Sequence, residues 1–194
     1  MTNKLAINGG IPITTQPFPE PWLGPAAIDE AEIQAVTDVL RSKKIFRFLD
    51  PDNSQCANLE KYFRDFTGSN YALAVGGGTA ALICGLIGLG IGEGDEVILP
   101  GFTYIASASA VLIAGAIPVI AEIDETLTID PDDIERKITP RTCAILPVHI
   151  RGFSCDMKRI LEIAKRHDLL VIEDCAQACG GTYAGKPVGS WGDV

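Results

Sequence analysis

The chain has no unbroken apolar run long enough to span a bilayer: its greasiest stretch, Ile105 to Ala121, is interrupted by serines, Gly115 and Pro118. The N-terminus, MTNKLAINGG, lacks the apolar centre of a secretion signal, so a soluble cytoplasmic protein without a membrane role is expected. Basic residues are sparse. No Lys/Arg block exceeds Lys43-Lys44, and a net charge of −9 with a pI near 4.7 argues against nucleic acid as a partner. There is no CxxC pair. The six cysteines (56, 84, 143, 155, 175, 179) stand singly in apolar or helical contexts, which speaks against a disulfide framework; Cys175 and Cys179 are spaced to share a helix face. The two histidines, His149 and His167, have no metal-ligand spacing to these cysteines or to each other, so no metal is expected. Internal repeats and low-complexity segments are also missing.

What is present is enough apolar material for a core: 194 residues at 47% hydrophobic content fit one domain or part of a larger one. Residues 1–25 carry five of the twelve prolines (12, 17, 19, 21, 25) around Gly9-Gly10, which predicts an extended arm of the kind that crosses to a partner subunit. Asp29 then offers a helix N-cap with Glu32 closing a capping box. Ile28 and Ile33 are spaced as a hydrophobic staple, and Val36 and Leu40 continue the apolar face. After a polar loop from Lys43 to Gln55, a second amphipathic helix places Leu59, Tyr62, Phe63 and Phe66 on one stripe, expected to be core.

From Tyr71 onward short apolar runs alternate with helical stretches. Strands are predicted at 71–75, 96–99, 117–121, 142–147 and 169–173. Gly115 suits the end of a helix over 104–114, and Asp130-Pro131 supplies an N-cap and first-turn proline for the next helix. This is the pattern of an α/β fold, a mostly parallel sheet with helices on both faces.

Parallel sheets bind ligands at the carboxyl ends of their strands, and three features fall there. Val75-Gly76-Gly77-Gly78-Thr79 runs straight into the helix AALICGLIGLG. It is either a plain tight turn or an anion cradle, in which glycines admit a close backbone approach and the free amides of the helix start receive a phosphate. Gly101-Phe102-Thr103-Tyr104 follows the second strand, where Tyr104 is either a core aromatic or a cover for a flat ring. The run Leu169-Leu170-Val171-Ile172 drives into Glu173-Asp174. A carboxylate there needs a partner, a cation or several donors from protein or ligand, and Gln177 is placed to help orient that partner. Gly76, Gly78 and Ala81 match the dinucleotide fingerprint, but the acid that should close the second strand is missing: it ends Val97-Ile98-Leu99-Pro100, with Asp95 and Glu96 before it. An anion cradle, an aromatic lid and a buried carboxylate together suit a planar, phosphorylated, nitrogen-protonated heterocycle, and pyridoxal 5'-phosphate (PLP) is such a ligand.

The blocks GGGTAAL (76–82), GIGEGDEVILPGFTYIASASAVLIAGAIPV (90–119), ITPRTCAILPVHIRGFSCDM (138–157) and VIEDCAQACGGTYAGKPVGSWGD (171–193) closely resemble the DegT/StrS family of sugar aminotransferases, in register from about Ile28 to the last residue. The resemblance implies an incomplete large domain of a fold-type-I PLP-dependent transferase over residues 26–194, behind the 1–25 arm and without the small C-terminal domain. Position by position it implies that Gly77, Gly78 and Thr79 hold the cofactor phosphate, that Tyr104 stacks on the pyridine ring, that Asp174 pairs with the ring nitrogen, and that Gln177 contacts the phenolic oxygen. Gly77 departs from the family, which commonly has serine there.

The larger departure is the Schiff-base lysine, which in the family follows the GD block and here lies beyond Gly192-Asp193-Val194, so no residue of this chain is assigned as catalytic. Of the eight lysines only Lys186 is near Asp174 in sequence, and its Gly-Lys-Pro turn reads as a solvated site. The implied activity is transfer of an amino group from an amino-acid donor, glutamate or glutamine, to a keto sugar, nucleotide-linked sugar or cyclitol, in amino-sugar, polysaccharide or antibiotic biosynthesis. A homodimer, or a complementing C-terminal polypeptide that supplies the lysine, is expected. The rival reading is a truncated, non-catalytic interaction or sensory module with the same fold.

Overall fold

The computed structural model describes residues 4–14, 16–17 and 23–194. Contacts divide the chain into two units, Met1–Pro51 and Asp52–Val194.

In the first unit the Pro-rich segment is not uniformly extended. Ala6–Asn8 form a 3-10 turn closed by Gly9 at φ +83, and a one-turn helix α1 covers Leu23–Ala26, with Pro25 tolerated because the first turn needs no backbone donor from it. Pro19 and Pro21 lie outside the described residues. Helix α2, Glu30–Ser42, starts as its sequence requires: Asp29 accepts from the Ala31 N–H at 2.8 Å while Glu32 reaches back to the Asp29 N–H at 2.9 Å. Its apolar residues Ile33, Val36 and Leu40 form the expected stripe but remain exposed.

The second unit opens with α3, Gln55–Thr67, capped by Ser54. Its aromatic stripe is not core: Leu59, Tyr62, Phe63 and Phe66 are all exposed, and the rings satisfy one another, Tyr62 lying edge-on to Phe63 and stacked on Phe66. The amphipathic period built the helix, but burial needs an opposing surface, and none of the described residues provides one. Helix α4 is Gly78–Gly88. The sheet is β1 (Glu96–Pro100), β2 (Ile117–Ala121), β3 (Thr142–Ile145) and β4 (Leu170–Val171), all parallel in the order β2-β1-β3-β4, with helices α5 (Ala106–Ile113), α6 (Pro131–Lys137) and α7 (Met157–His167) in the crossovers. Gly115 at φ +89 ends the α5 region, and Asp130 caps α6 with Pro131 in its first turn. A tight hairpin of β5 (Thr182–Tyr183) and β6 (Lys186–Pro187) follows.

Side chains of β1 alternate between two cores, as a strand's period of two dictates. Val97 and Leu99 join Leu86, Ala110, Val111 and Ile172 beneath α4 and α5; Ile98 joins Ile134, Ile160 and Val171 beneath α6 and α7. Both faces of the sheet are therefore covered. Opposite β1, Cys143 is the extra residue of a bulge, since Glu96 faces Thr142 but Val97 faces Ala144.

Residues 71–75 do not form the predicted strand. Tyr71, Leu73 and Val75 are exposed, and the Ala74 N–H donates to the buried Glu60 carboxylate at 2.8 Å instead of to a ladder. An apolar alternation is only half of a strand; the other half is a neighbour, and 71–75 pair with none of the described strands, while residues 193–194 line the free edge of β4. Asp193 N–H donates to the Val171 carbonyl and Glu173 N–H to the Val194 carbonyl, both at 2.8 Å, so 193–194 run alongside and in the same direction as 171–173. Among the described residues no helix is long and apolar enough to cross a membrane.

Candidate functional site at the strand ends

The leading amides of α4 have no side-chain cap, and Gly77, Gly78 and Thr79 are exposed. A Cβ added at Gly76, Gly77 or Gly78 would meet nothing within 4 Å, so the turn is open. Uncapped N–H groups and the positive end of the helix dipole are what an anion would need there in place of a lysine or arginine.

Tyr104 stands two residues before α5 and is 68% exposed, which removes the core reading of this ring.

Asp174 is 9% exposed. Its backbone extends the sheet past β4, donating to the Pro147 carbonyl at 2.9 Å and accepting from the His149 N–H at 3.0 Å. Its carboxylate is oriented by Ser107, whose hydroxyl donates to Oδ2 at 3.0 Å, and by the Ala176 N–H, which donates to Oδ1 at 3.1 Å. Gln177 is not among those donors. Its Oε1 accepts the Arg151 N–H at 3.1 Å, at a corner where Arg151 (φ +52) and Gly152 (φ +86) are both left-handed; this leaves the amide NH2 as its outward donor. Cys175 and Cys179 sit in turns rather than on one helix face, because the chain after Asp174 folds back by bonds such as Ala178 N–H to Cys175 O and Gly181 N–H to Ala178 O.

Glu173, next to Asp174, points elsewhere and does something different. One oxygen accepts from the Trp191 and Gly192 N–H groups, the other from the Gly189 N–H and His149 Nε2. His149 is fully buried; its Nδ1 accepts the Cys155 N–H at 3.0 Å, which puts the ring proton on Nε2, facing Glu173. Burial alone would raise the Glu173 carboxyl, but the His149 bond and the Gly189, Gly192 and Trp191 amides outweigh it and hold it below its ordinary value. Ligand atoms of His149, Glu173 and Cys175 lie within 4.8 Å of one another, yet the Glu173 oxygens and both ring nitrogens are already engaged in hydrogen bonds, so this group braces the 189–192 segment. Burial pushes the Cys155 thiol up to about 12 and raises Cys175 as well, the Glu173 and Asp174 charges adding to it; neither is a nucleophile near neutral pH. Lys186 is engaged too, its ammonium on the Ser190 carbonyl and 4.8 Å from the centre of the Trp191 ring. A separate groove of about 230 Å³ between α6 and α7 includes none of these groups, and its charges pair with one another, Arg159 with Asp132 and Arg166 with Glu135.

Sequence reasoning missed Ser107, Thr103 and His149. A serine inside ASASAVL carries no visible signal of a bond to a residue 67 positions away.

A parallel sheet covered on both faces, with an open helix start and a buried acid at its strand ends, is an α/β fold whose solved neighbours are aminotransferases of fold type I. Residues 26–194 match the model of the DegT/DnrJ/EryC1/StrS aminotransferase family, and the chain belongs to that family. It is 54% identical over 135 residues to the GDP-perosamine synthase of Caulobacter vibrioides, an alignment covering 69% of this chain and 36% of that protein. It is 39% identical over 195 residues to a putative L-glutamine:3-amino-2,3-dideoxy-scyllo-inosose aminotransferase of Streptoalloteichus tenebrarius, covering 100% of this chain and 46% of the relative. Among solved structures, the putative sugar aminotransferase Spr1654 of Streptococcus pneumoniae in its PLP form superposes with a TM-score of 0.79 at 35% identity, over 86% of this chain and 45% of that one. The chain thus spans less than half the length of these proteins.

Proposed function

We propose that this chain is the cofactor-binding portion of a PLP-dependent aminotransferase that aminates a keto sugar, a nucleotide-linked sugar or a cyclitol with an amino acid as donor. The observation that carries the reading is Asp174: a buried carboxylate beyond a parallel strand, held by Ser107 and the Ala176 N–H, with acceptor capacity left over for a cationic ring N–H. The donor set fits the whole group. Uncapped α4 amides and the Thr79 hydroxyl suit a phosphate dianion, Tyr104 offers a ring face, and the Gln177 NH2 is a donor for a phenolic oxygen.

When bound, PLP supplies an electron sink for a carbanion next to nitrogen. This chain's residues do the holding. Gly77, Gly78 and Thr79 fix the phosphate end, Tyr104 covers the ring and excludes water from one face, and Asp174 keeps the proton on the ring nitrogen by accepting from it. The sugar side of the reading is supported by the relatives, which include a GDP-perosamine synthase and an aminotransferase of a scyllo-inosose.

Titrating the purified chain with PLP, read by absorbance and equilibrium dialysis, tests the proposal. Saturable binding is expected, weakened at least about tenfold in Asp174→Asn, the loss of one charge-assisted hydrogen bond. Equal binding by wild type and variant sinks it. The second reading, a non-catalytic module of the same fold, is favoured by Lys186 being tied to Ser190 and Trp191. Borohydride reduction and peptide mapping separate the two: an adduct on any lysine of this chain excludes the strictly non-covalent version.

A further inference from the structure

We propose that Ser107, fed by Thr103, is a positioning residue that holds Asp174 as an acceptor for the cofactor's ring nitrogen, an inference resting on the reading of Asp174 given above. Ser107 is the second residue of α5 and is fully buried, on the same helix as the buried Ala110 and Val111. A hydroxyl in a helix ordinarily returns its proton to a carbonyl of its own preceding turn or caps a nearby amide. This one sends it out of the helix, to Asp174 Oδ2 at 3.0 Å.

A hydroxyl has a single proton. Since that of Ser107 goes to the carboxylate, which can only accept, the 2.8 Å contact between Thr103 Oγ1 and Ser107 Oγ has Thr103 as its donor. The result is a directed chain from Thr103 to Ser107 to Asp174, in which each bond polarises the next. With the Ala176 N–H on Oδ1, each carboxylate oxygen carries one protein donor, so the group cannot turn freely and each oxygen keeps acceptor capacity on a defined side. A donor to the charged form of an acid favours that form. Without it the carboxylate's charge is less stabilised and its orientation less fixed, so a ring proton facing it is held less firmly on the nitrogen.

The chain also links two strand ends. Thr103 and Tyr104 leave β1 and Asp174 continues β4, two positions away in the strand order. Ser107 spans that gap, so the segment that carries the aromatic cover is tied to the acid that would face the ring nitrogen.

The test uses the full chain loaded with pyridoxamine 5'-phosphate labelled with 15N in the ring, a form that needs no lysine. Ring-nitrogen NMR at neutral pH reports where the proton sits, and thermal melting reports folding. In Ser107→Ala the ring signal should move toward the unprotonated position by roughly half the displacement seen in Asp174→Asn, with an affinity loss below about tenfold. Thr103→Val, which keeps the shape and removes only the hydroxyl, should move it a smaller distance the same way and carries the test where Ser107→Ala does not fold. Ser107→Thr should restore the wild-type signal. A purely structural serine would lower the melting temperature and leave the ring signal in place. If Asp174→Asn shifts the signal while folded Ser107→Ala and Thr103→Val match wild type, the inference falls alone. If wild type binds nothing, or Asp174→Asn matches it, the cofactor reading falls and takes the inference with it.

Discussion

At the scale of single residues, the site is made from ordinary side chains whose roles come from what they touch. Two adjacent acids show this. Glu173 has four donors on it and is used up; Asp174 has two and is not. At Gly77 the structure shows no steric reason for glycine: its φ of 166 is extended backbone, and a Cβ would enter open space. Gly77→Ser is therefore expected to fold normally and to tighten PLP about three- to tenfold, one added hydroxyl donor to the phosphate being worth about 1 kcal/mol. Isothermal titration of both proteins checks this; an unchanged or weaker affinity would show that the added hydroxyl is not aimed at the ligand.

Among elements, the informative one is the segment that leaves the hairpin and joins β4. Gly189, Trp191 and Gly192 aim their amides at Glu173, and Asp193 and Val194 begin pairing along 171–173. Glu173→Gln replaces one acceptor oxygen by an NH2 that faces other donors, so it should cost about 2–4 kcal/mol of unfolding free energy by denaturant titration. Gly192 has no such latitude as Gly77. A Cβ there would stand 2.5 Å from the Val171 carbonyl oxygen, which is backbone, so Gly192→Ala should cost about 1–3 kcal/mol and speed amide exchange of Asp193 and Val194, seen by hydrogen-exchange mass spectrometry. Amide exchange unchanged from wild type would mean that the segment accommodates the methyl elsewhere.

For the whole molecule, three buried acids set the response to pH. Thr139 and Arg141 hold the Glu96 carboxyl low against the cost of burial. The Glu122 N–H and Arg136 do the same for Asp133, and in Glu173 the hydrogen bonds prevail over burial. A carboxyl whose folded value is depressed stabilises the fold fully above its unfolded value, about pH 4 to 4.5, and that contribution is lost as pH falls through the lower folded value. The melting temperature should accordingly be insensitive to these groups from pH 6 to 8 and drop steeply below about pH 4, with a shallower drop in Glu173→Gln. A melting temperature unchanged down to pH 3 would contradict the assignment. Leu112, Ile113, Ile117 and Ile120 and the aromatic rings of α3 are apolar and exposed, as surfaces covered by a second copy would be. Light scattering should find a species larger than the 20.6 kDa chain, and a monodisperse monomer would count against the dimer expectation.

How much of this was legible in the sequence differs from residue to residue for one physical reason. Asp29 with Glu32, Asp130 with Pro131, the alternation of β1 and the glycine turn before α4 are local: period, cap and backbone preference act within a few positions, so sequence by itself determined most of the helices and most of the sheet. The segment 71–75 had the right period and no neighbour, the α3 aromatics had the right stripe and no opposing surface, and Ser107 had no signal at all. Pairing, burial and a hydroxyl's choice of acceptor depend on groups tens of residues apart in the chain, whose proximity is set only when the crossovers close. That is why tertiary structure alone showed that Glu173 is spent as a brace on the 189–192 segment while Asp174 carries only two donors.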